Sequence, residues 1–303
     1  MMEHAKKVTG EAMRIGFVGT GTMGAPIAGR LRSAGHRLTV YDVRHEAMSG
    51  LAGQGATIAE SPLEAAYGAE VVFTSLPGPR EVEAAALDPQ RGVLAGLRAG
   101  CTYIDLTTNS PASARLIAAA ARKRSIGFLD APVSGRPPEM TVMVGGEASH
   151  LAQCRSLFEV IAADVFHVGP SGAGSAAKLI TQYLGYTNLI AAMEGMLIAA
   201  KAGIDLGVLA QIVPLSAGQS RTFANIPRGV FDRSFTAGGT LDIVAKDIEL
   251  ACQLARDLGA PATLGTLAAD FYRRAQAQGW GGEGFPVVAR ILEAMAGVEL
   301  RHD

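Results

Sequence analysis

The sequence has few cysteines and histidines, and neither residue type is spaced to bind a metal or to form a set of disulfides. Cys101, Cys154 and Cys252 are widely separated and include no Cys-x-x-Cys pair. The 6 histidines lack the i, i+4 spacing that would bring two imidazoles onto one metal. We therefore expect no metal site and no disulfide framework, and the cysteine usage fits a reducing cytoplasm.

A strong excess of one charge and long apolar runs are also missing. The net charge is -1, so no broad basic surface is available to bind nucleic acid. The longest apolar helical stretch, residues 189–200, contains Glu194 and Gly195 and is shorter than the roughly 20 residues that a membrane span needs. Residues 1–13 lack the apolar run of a secretory signal, and we expect a flexible tail there. Neither nucleic acid nor a membrane is an expected partner.

The patterns that are present predict two domains. Hydrophobic residues make up 49% of the 303 residues, which is enough to bury one large core or two ordinary ones. Short β-rich runs alternate with helical runs between residues 14 and 168, as in a Rossmann-type doubly wound α/β fold with a parallel sheet. The strand pattern then stops, and residues 172–202 form one long run of helix-forming residues. We predict a dinucleotide-binding domain over 14–170 and an all-α substrate and dimerisation domain over 171–303, entered through a long connecting helix.

A glycine-rich loop begins the first predicted domain. Gly19, Gly21, Thr22, Met23 and Gly24 lie between a predicted strand at residues 14–18 and a predicted helix. In such a loop the first glycine allows a tight turn, the second lets the backbone approach a pyrophosphate, and the third permits close packing of helix on strand. The free N–H groups of the helix then bind phosphate. This strand, loop and helix predict a dinucleotide site.

Asp42 ends the second predicted strand, about 20 residues after the glycine loop. A carboxylate there can accept both hydroxyls of an adenosine ribose, and it would repel a 2'-phosphate. We therefore expect NAD as the cofactor, with NADP possible because Arg44 is close enough to screen the aspartate. The alternative is a solvated acid at a strand end.

Lys178 lies in the first turns of the predicted long helix, and Gln182 follows one turn later on the same face. The positive end of the helix dipole disfavours a second positive charge, so we expect the pKa of this lysine to be lowered. A lysine tuned in this way can act as a general acid or base. An isolated lysine near a helix start is more often a solvated surface charge, and the neighbouring motifs decide between the two interpretations.

Two further motifs follow predicted strands at the carboxyl edge of the sheet, where open α/β sheets bind ligands. In residues 130–135, Ser134 and the N–H groups around Gly135 could hold a carboxylate. In residues 105–111, Thr108 could contact the nicotinamide or the substrate. A capping turn before the Pro111 helix explains the second motif equally well.

Taken together, these motifs resemble the β-hydroxyacid dehydrogenase family, which includes 3-hydroxyisobutyrate dehydrogenase and tartronate semialdehyde reductase. The resemblance extends from about residue 14 to about residue 296 and includes Leu76-Pro77 and Lys246-Asp247. It implies that Lys178 is the catalytic acid/base and that Ser134 and Gly135 bind the substrate carboxylate. It also implies that Leu76, Pro77 and Lys246 lie near the cofactor, and that the protein forms homodimers or homotetramers.

The chain departs from the family pattern at three places. Gln182 stands where the family usually has Asn, and Arg136 stands where it usually has a second glycine after Ser-Gly. The stretch between Ser134 and Thr141 is about five residues shorter than usual, in a loop that tolerates deletion. The Arg136 guanidinium could hold a second acidic group of a diacid or phosphonate-like substrate, or it could point into solvent.

We therefore predict an oxidoreductase that transfers a hydride between NAD and a small 3-hydroxyacid, or the matching semialdehyde. Two alternatives stay open. The first is an imine reductase of the same fold, although those relatives usually replace the lysine. The second is a non-catalytic dinucleotide-binding protein.

Overall fold

The structure is a computed structural model that describes residues 12–236 and 238–301. The predicted tail at residues 1–13 lies outside the described residues except for Ala12 and Met13. The chain divides into two compact units, the first ending at Lys178 and the second beginning at Leu179. This division falls inside the long helix, whereas the boundary that we predict from sequence, after residue 170, precedes it.

The first unit consists of a sheet with helices on both faces. Its strands are β1 (Arg14–Val18), β2 (Arg37–Tyr41), β3 (Thr57–Ile58), β4 (Val71–Thr74), β5 (Thr102–Asp105), β6 (Gly127–Asp130), β7 (Val133–Ser134), β8 (Thr141–Gly146) and β9 (Asp164–Gly169). Its α-helices are α1 (Gly24–Ser33), α2 (Ser49–Ala52), α3 (Pro62–Ala66), α4 (Pro79–Leu87), α5 (Val93–Gly96), α6 (Pro111–Arg122) and α7 (Ala148–Ile161), with a 3-10 turn at His45–Met48. The predicted alternation of strands and helices is confirmed.

The sheet is mixed, which corrects the expectation of an entirely parallel sheet. The order β3-β2-β1-β4-β5-β6 is parallel throughout, but β8 runs antiparallel to both β6 and β7. Parallel neighbours need a crossover of about a dozen residues, usually a helix. Only β7 and its turns separate β6 from β8, so the chain turns back on itself. β9, which follows helix α7, is again parallel to β8.

The strand order reverses at β1, which lies between β2 and β4. At such a switch point the connections leave in opposite directions and open a crevice at the carboxyl ends of the strands. Apolar side chains of β1 and β4 fill the sheet below that edge, and Phe17 and Phe73 stack with their ring centroids 5.8 Å apart. Gly16 has no room for a side chain, because a Cβ would lie 2.3 Å from the carbonyl oxygen of Ala65. Close packing therefore fixes the strand that leads into the glycine loop.

The long helix α8 (Ala173–Lys201) begins in the first unit and continues into the second. The other helices of the second unit are α9 (Leu206–Ile212), α10 (Leu241–Asp257), α11 (Thr263–Ala277) and α12 (Ala289–Ala296), with 3-10 turns at Val213–Leu215 and Phe285–Val288 and a π-turn at Pro227–Phe231. Buried residues such as Leu189, Met193, Ile248 and Tyr272 form one core. The predicted all-α domain is confirmed. Among the described helices, none is both long and apolar enough to cross a membrane.

Candidate active site

The glycine loop connects β1 to α1 at the switch point of the sheet. Gly19 has φ +91°, a conformation that side chains disfavour, and its N–H donates to the carbonyl of Tyr41 at 2.8 Å. At Gly24 a Cβ would lie 1.9 Å from the carbonyl oxygen of Gly19, so helix α1 can begin here only with glycine. Thr22 and Met23 complete the turn, and Met23 precedes the first residue of α1. The structure thus has the tight turn and the close packing that the sequence motif predicts.

Asp42 is tied into this loop by its carboxylate. Oδ2 accepts the N–H of Thr20 at 2.8 Å, and Oδ1 accepts the N–H of Arg44 at 2.9 Å. The side chain is only 8% exposed, which argues against the alternative of a solvated acid at a strand end. A carboxylate has about four lone-pair sites, so two remain for a diol. The Arg44 guanidinium lies beside the same carboxylate, with Nε 3.6 Å from Oδ1.

Asp105 organises the ends of β4 and β5. Its carboxylate is fully buried and accepts hydrogen bonds from Thr74 Oγ1, the N–H of Thr107 and Nδ2 of Asn109, at 2.8, 3.1 and 3.0 Å. Burial raises the pKa of Asp105, and these hydrogen bonds oppose the rise. Thr107 Oγ1 in turn accepts the N–H of Leu76 at 3.0 Å. The network therefore joins the segment before Pro77 to the segment that carries Thr108.

The capping interpretation of residues 105–111 is confirmed for Ser110. Its Oγ accepts the N–H of Ser113 at 3.1 Å and caps helix α6. Thr108 lies two residues before this cap and is half-buried. The assignment of Thr108 to the cofactor stays a prediction.

Asp130, at the end of β6, brings two of the predicted motifs together. Its Oδ1 accepts the N–H of Gly172 and its Oδ2 accepts the N–H of Ser175, both at 2.8 Å. These donors belong to the first turn of α8, whose N–H groups have no partner within the helix. Burial raises the pKa of Asp130, and the two backbone hydrogen bonds oppose the rise. The carboxylate fixes the start of the helix one turn before Lys178.

Gly174 shows how closely that helix approaches the sheet. A Cβ on this residue would lie 2.3 Å from the carbonyl oxygen of Asp130 and 2.5 Å from that of Met143. Lys178 follows one turn later, and its side chain is only 7% exposed. A solvated surface lysine would be largely exposed, so the alternative interpretation of Lys178 does not fit its environment.

Ser134, Gly135 and Arg136 lie at the turn between β7 and β8. Ser134 pairs with Thr141 across this antiparallel ladder and is half-buried. Gly135 has φ +88°, and a Cβ there would be 3.0 Å from the carbonyl oxygen of Glu139. Arg136 is exposed at the tip of the turn. The structure thus leaves this guanidinium accessible to a ligand or to solvent.

In the second unit, Gln182 belongs to a cluster of polar side chains. Its Nε2 donates to Oδ2 of Asp247 at 2.8 Å and also, at short range, to the hydroxyl of Tyr186. The Tyr186 hydroxyl lies 3.4 Å from the same Asp247 oxygen. Lys246 Nζ is 2.7 Å from Asp247 Oδ1, an ion pair in which the aspartate is buried and the lysine partly exposed. Gln182 and Lys246 are therefore linked through Asp247.

Sequence reasoning missed Tyr186, Asp105 as a network centre and the capping role of Asp130. Tyr186 could have been found, because it lies one turn beyond Gln182 and two turns beyond Lys178 on one helix face. The partners of Asp130 are 42 and 45 residues away in sequence. No local pattern indicates contacts at that separation.

The residues of the first unit fit a dinucleotide. The turn at Gly19, the missing side chain at Gly21 and the start of helix α1 form a cradle of backbone N–H groups suited to a pyrophosphate. Asp42 supplies acceptors at the end of the neighbouring strand. Among the described residues no group of three or more His, Cys, Asp or Glu side chains could hold a metal ion, and the three cysteines are free thiols.

Comparison with protein families agrees with this geometry. A family model described as the NAD binding domain of 6-phosphogluconate dehydrogenase matches residues 14–169. A second, described as NAD-binding of NADP-dependent 3-hydroxyisobutyrate dehydrogenase, matches residues 172–292. The two models together include the glycine loop, Lys178 and Lys246.

Individual relatives match over nearly their whole length. The NAD-dependent L-serine dehydrogenase of Pseudomonas aeruginosa is 36% identical over 296 residues, which are 94% of this chain and 99% of the relative. The 2-(hydroxymethyl)glutarate dehydrogenase of Eubacterium barkeri is 29% identical, over 96% of this chain and 98% of the relative. The solved structure of Mycobacterium tuberculosis 3-hydroxyisobutyrate dehydrogenase with L-serine is 32% identical, with a TM-score of 0.85 over 93% of this chain and 99% of that chain.

Fold, glycine loop and family models together define an oxidoreductase that binds NAD, and the family also includes NADP-dependent members. The chain belongs to the β-hydroxyacid dehydrogenase family, as its sequence motifs predict.

Proposed function

We propose that this protein oxidises a small 3-hydroxyacid with NAD, or equally reduces the matching semialdehyde, with Lys178 as the acid/base. The observation that carries the proposal is the burial of Lys178 one turn beyond a helix start that the Asp130 carboxylate fixes. A lysine side chain held in one place can donate a proton to a bound substrate or take one from it.

In the oxidation, neutral Lys178 takes the proton of the substrate hydroxyl, and in the reduction its ammonium returns that proton. NAD, when bound, supplies the hydride acceptor for the carbon that bears the hydroxyl. Ser134 and the backbone N–H groups around Gly135 hold the substrate carboxylate, which fixes the hydroxyl relative to Lys178. General acid–base catalysis by a positioned side chain is worth about 100-fold to 10,000-fold in rate.

The cofactor is held by the glycine loop through Gly19, Gly21, Thr22, Met23 and Gly24. Leu76, Pro77, Thr108 and Lys246 are further contacts, and Asp42 sets a preference for NAD. Support for the preference is the low exposure of the Asp42 carboxylate and its hydrogen bond from Thr20 in the loop itself. Arg44 beside it leaves room for some use of NADP.

Candidate substrates follow from the relatives. L-Serine, which the P. aeruginosa relative oxidises by its name, is a 3-hydroxyacid with one carboxylate. The E. barkeri relative acts by its name on a diacid, 2-(hydroxymethyl)glutarate. The exposed Arg136 guanidinium beside Ser134 and Gly135 suits a second carboxylate bound through two parallel hydrogen bonds.

We also propose a homodimer or homotetramer formed through the helical unit. Support comes from large apolar side chains that are strongly exposed there, such as Ile198 at 70%, Leu215 at 91% and Leu258 at 72%. The free thiols support a reducing compartment such as the cytoplasm. Sedimentation at several concentrations would measure the assembly, and a monomer throughout would contradict it.

The test of function is NADH absorbance with a panel of L-serine, 3-hydroxyisobutyrate and 2-(hydroxymethyl)glutarate. We expect turnover of at least one acid and a loss of about 100-fold to 10,000-fold in kcat for Lys178→Met. Lys201→Met is the matched control, because Lys201 is the exposed last residue of the same helix. Turnover in Lys178→Met close to that of the wild type would refute the mechanism. No turnover with any acid would favour a non-catalytic dinucleotide-binding protein or an imine reductase.

A further inference from the structure

In the polar cluster around Gln182, each hydrogen bond has an assigned donor and acceptor. Asp247 forms an ion pair with Lys246, so it is a carboxylate and can only accept hydrogen bonds. The group of Gln182 that faces Asp247 Oδ2 at 2.8 Å must therefore be the amide NH2. The same nitrogen donates its second hydrogen to the Tyr186 hydroxyl. Both hydrogens of the Gln182 amide are thus used within the cluster.

The Tyr186 hydroxyl acts as both an acceptor and a donor in this cluster. Having accepted from Gln182, it directs its own hydrogen to Asp247 Oδ2, at 3.4 Å. Burial and the charge of Asp247 raise the pKa of Tyr186 well above its ordinary value, so the phenol keeps the hydrogen that it donates. Asp247 then binds Gln182 and Tyr186 through one oxygen and Lys246 through the other.

The ring of Tyr186 is held independently of this network. It makes edge contacts with Tyr272 and Phe285, at centroid distances of 6.1 and 5.9 Å. The hydroxyl of Tyr272 donates to the backbone carbonyl of Tyr186 at 3.0 Å. Loss of the Tyr186 hydroxyl alone would therefore leave the ring in place, and a phenylalanine fits the same space.

We propose that Tyr186 is a positioning residue. Together with Asp247 it takes both amide hydrogens of Gln182, so that Gln182 meets the substrate only as an acceptor, through Oε1, and binds the hydroxyl rather than the carboxylate. This inference rests on the proposed function and deepens it. The proposal also assigns a role to the longer side chain at position 182. A tyrosine one turn further along α8 orients the amide of Gln182.

The experiment compares Tyr186→Phe with Tyr183→Phe. Tyr183 lies on the same helix, and its hydroxyl accepts the N–H of Gly265 at 3.0 Å, so its loss also removes one partly buried hydrogen bond. For the acid of the panel that turns over best, we expect kcat/KM to fall about fivefold to tenfold in Tyr186→Phe and to stay unchanged in Tyr183→Phe. Dissociation constants are measured as well, for the counterpart without the hydroxyl: L-alanine for L-serine, or isobutyrate for 3-hydroxyisobutyrate. We expect that affinity to be the same in all three proteins.

A double-mutant cycle with Gln182→Met separates positioning from a structural role. In the Gln182→Met background the amide is gone, and Tyr186→Phe is expected to cause no further loss of kcat/KM. An equal loss in both backgrounds, or an equal loss in Tyr183→Phe, would overturn the proposal. So would a weakened affinity of Tyr186→Phe for the counterpart without the hydroxyl.

The two proposals fail in different ways. If the wild-type protein turns over no acid, the proposed function is wrong. The hydrogen bonds between Tyr186 and Gln182 are then tested by thermal unfolding of the wild type, the two single variants and the double variant. Changes in melting temperature that are non-additive for positions 182 and 186 would support these hydrogen bonds, and additive changes would contradict them.

Discussion

Helix α8 is held in one way at its start and in another way around Gln182 and Tyr186. At its start, the backbone of Gly172, Gly174 and Ser175 lies directly against β6 and β8, with an aspartate as the cap. Further along, the side chains of Gln182 and Tyr186 make the contacts. Close backbone contacts thus hold the start of the helix, and side-chain hydrogen bonds hold the segment around Gln182. A backbone contact tolerates almost no added atom, whereas side-chain contacts can be exchanged one at a time.

The largest effect that tests this comparison is expected at Gly174. In Gly174→Ala the new Cβ would meet two carbonyl oxygens at 2.3 and 2.5 Å and the nitrogen of Gly145 at 2.8 Å. Because all three are backbone atoms, the start of α8 has to move away from the sheet. Overpacking of this kind costs about 1–3 kcal/mol of unfolding free energy, and we expect kcat to fall because Lys178 moves with the helix. Urea unfolding and NADH turnover measure the two effects.

Gly195→Ala is the matched control on the same helix. Gly195 is exposed, and apart from its chain neighbours and the backbone of its own helix no atom lies within 4 Å of a Cβ built there. Since alanine favours the helix over glycine by about 1 kcal/mol, this variant is expected to be more stable, with unchanged activity. The same substitution would then have opposite signs in the two units. Equal losses in both variants would contradict the comparison.

This contrast also explains which features the sequence could predict. Glycines at 19, 21 and 24 and the alternation of strands and helices are local patterns, and they correctly predicted the fold and the tight turn between β1 and α1. The two-residue strands β3 and β7 are too short to leave a pattern. The direction of β8 depends on the chain reversal before it and not on its own residues. Tyr186 and Asp247 are 61 residues apart, so their contact follows from tertiary packing alone.

We assign cofactor choice in the first unit to the side chain of Asp42, and Asp42→Asn tests this assignment. Asparagine keeps an acceptor for the N–H of Thr20 but removes the charge that would repel a 2'-phosphate. We expect the ratio of kcat/KM for NAD over NADP to fall about tenfold, which corresponds to about 1.4 kcal/mol. Asp164→Asn, at the exposed start of β9, changes the net charge equally and serves as the control. A ratio that is unchanged in Asp42→Asn would show that the loop backbone alone selects the cofactor.

A smaller effect is expected in how readily each of the two units opens. One buried thiol in each unit serves as the probe. Cys154 is 2% exposed and Cys252 is 1% exposed, whereas Cys101 is partly exposed and is removed as Cys101→Ser. Burial raises the pKa of Cys154 to about 11, and burial followed by the charge of Glu249 raises that of Cys252. The thiolate is the reactive form, so both thiols are expected to react slowly with a disulfide reagent at neutral pH and faster as the pH rises.

Cys252 is expected to react first. It lines a cavity of about 480 Å³ between α10 and α11, together with polar side chains such as Arg256, Thr266 and Arg273. Cys154 lies on α7 in the apolar core beside the sheet. Labelling of the variants Cys101→Ser/Cys154→Ser and Cys101→Ser/Cys252→Ser would give the two rates separately, with urea-unfolded protein as the reference for full reactivity. Equal rates would contradict the expected difference between the two units.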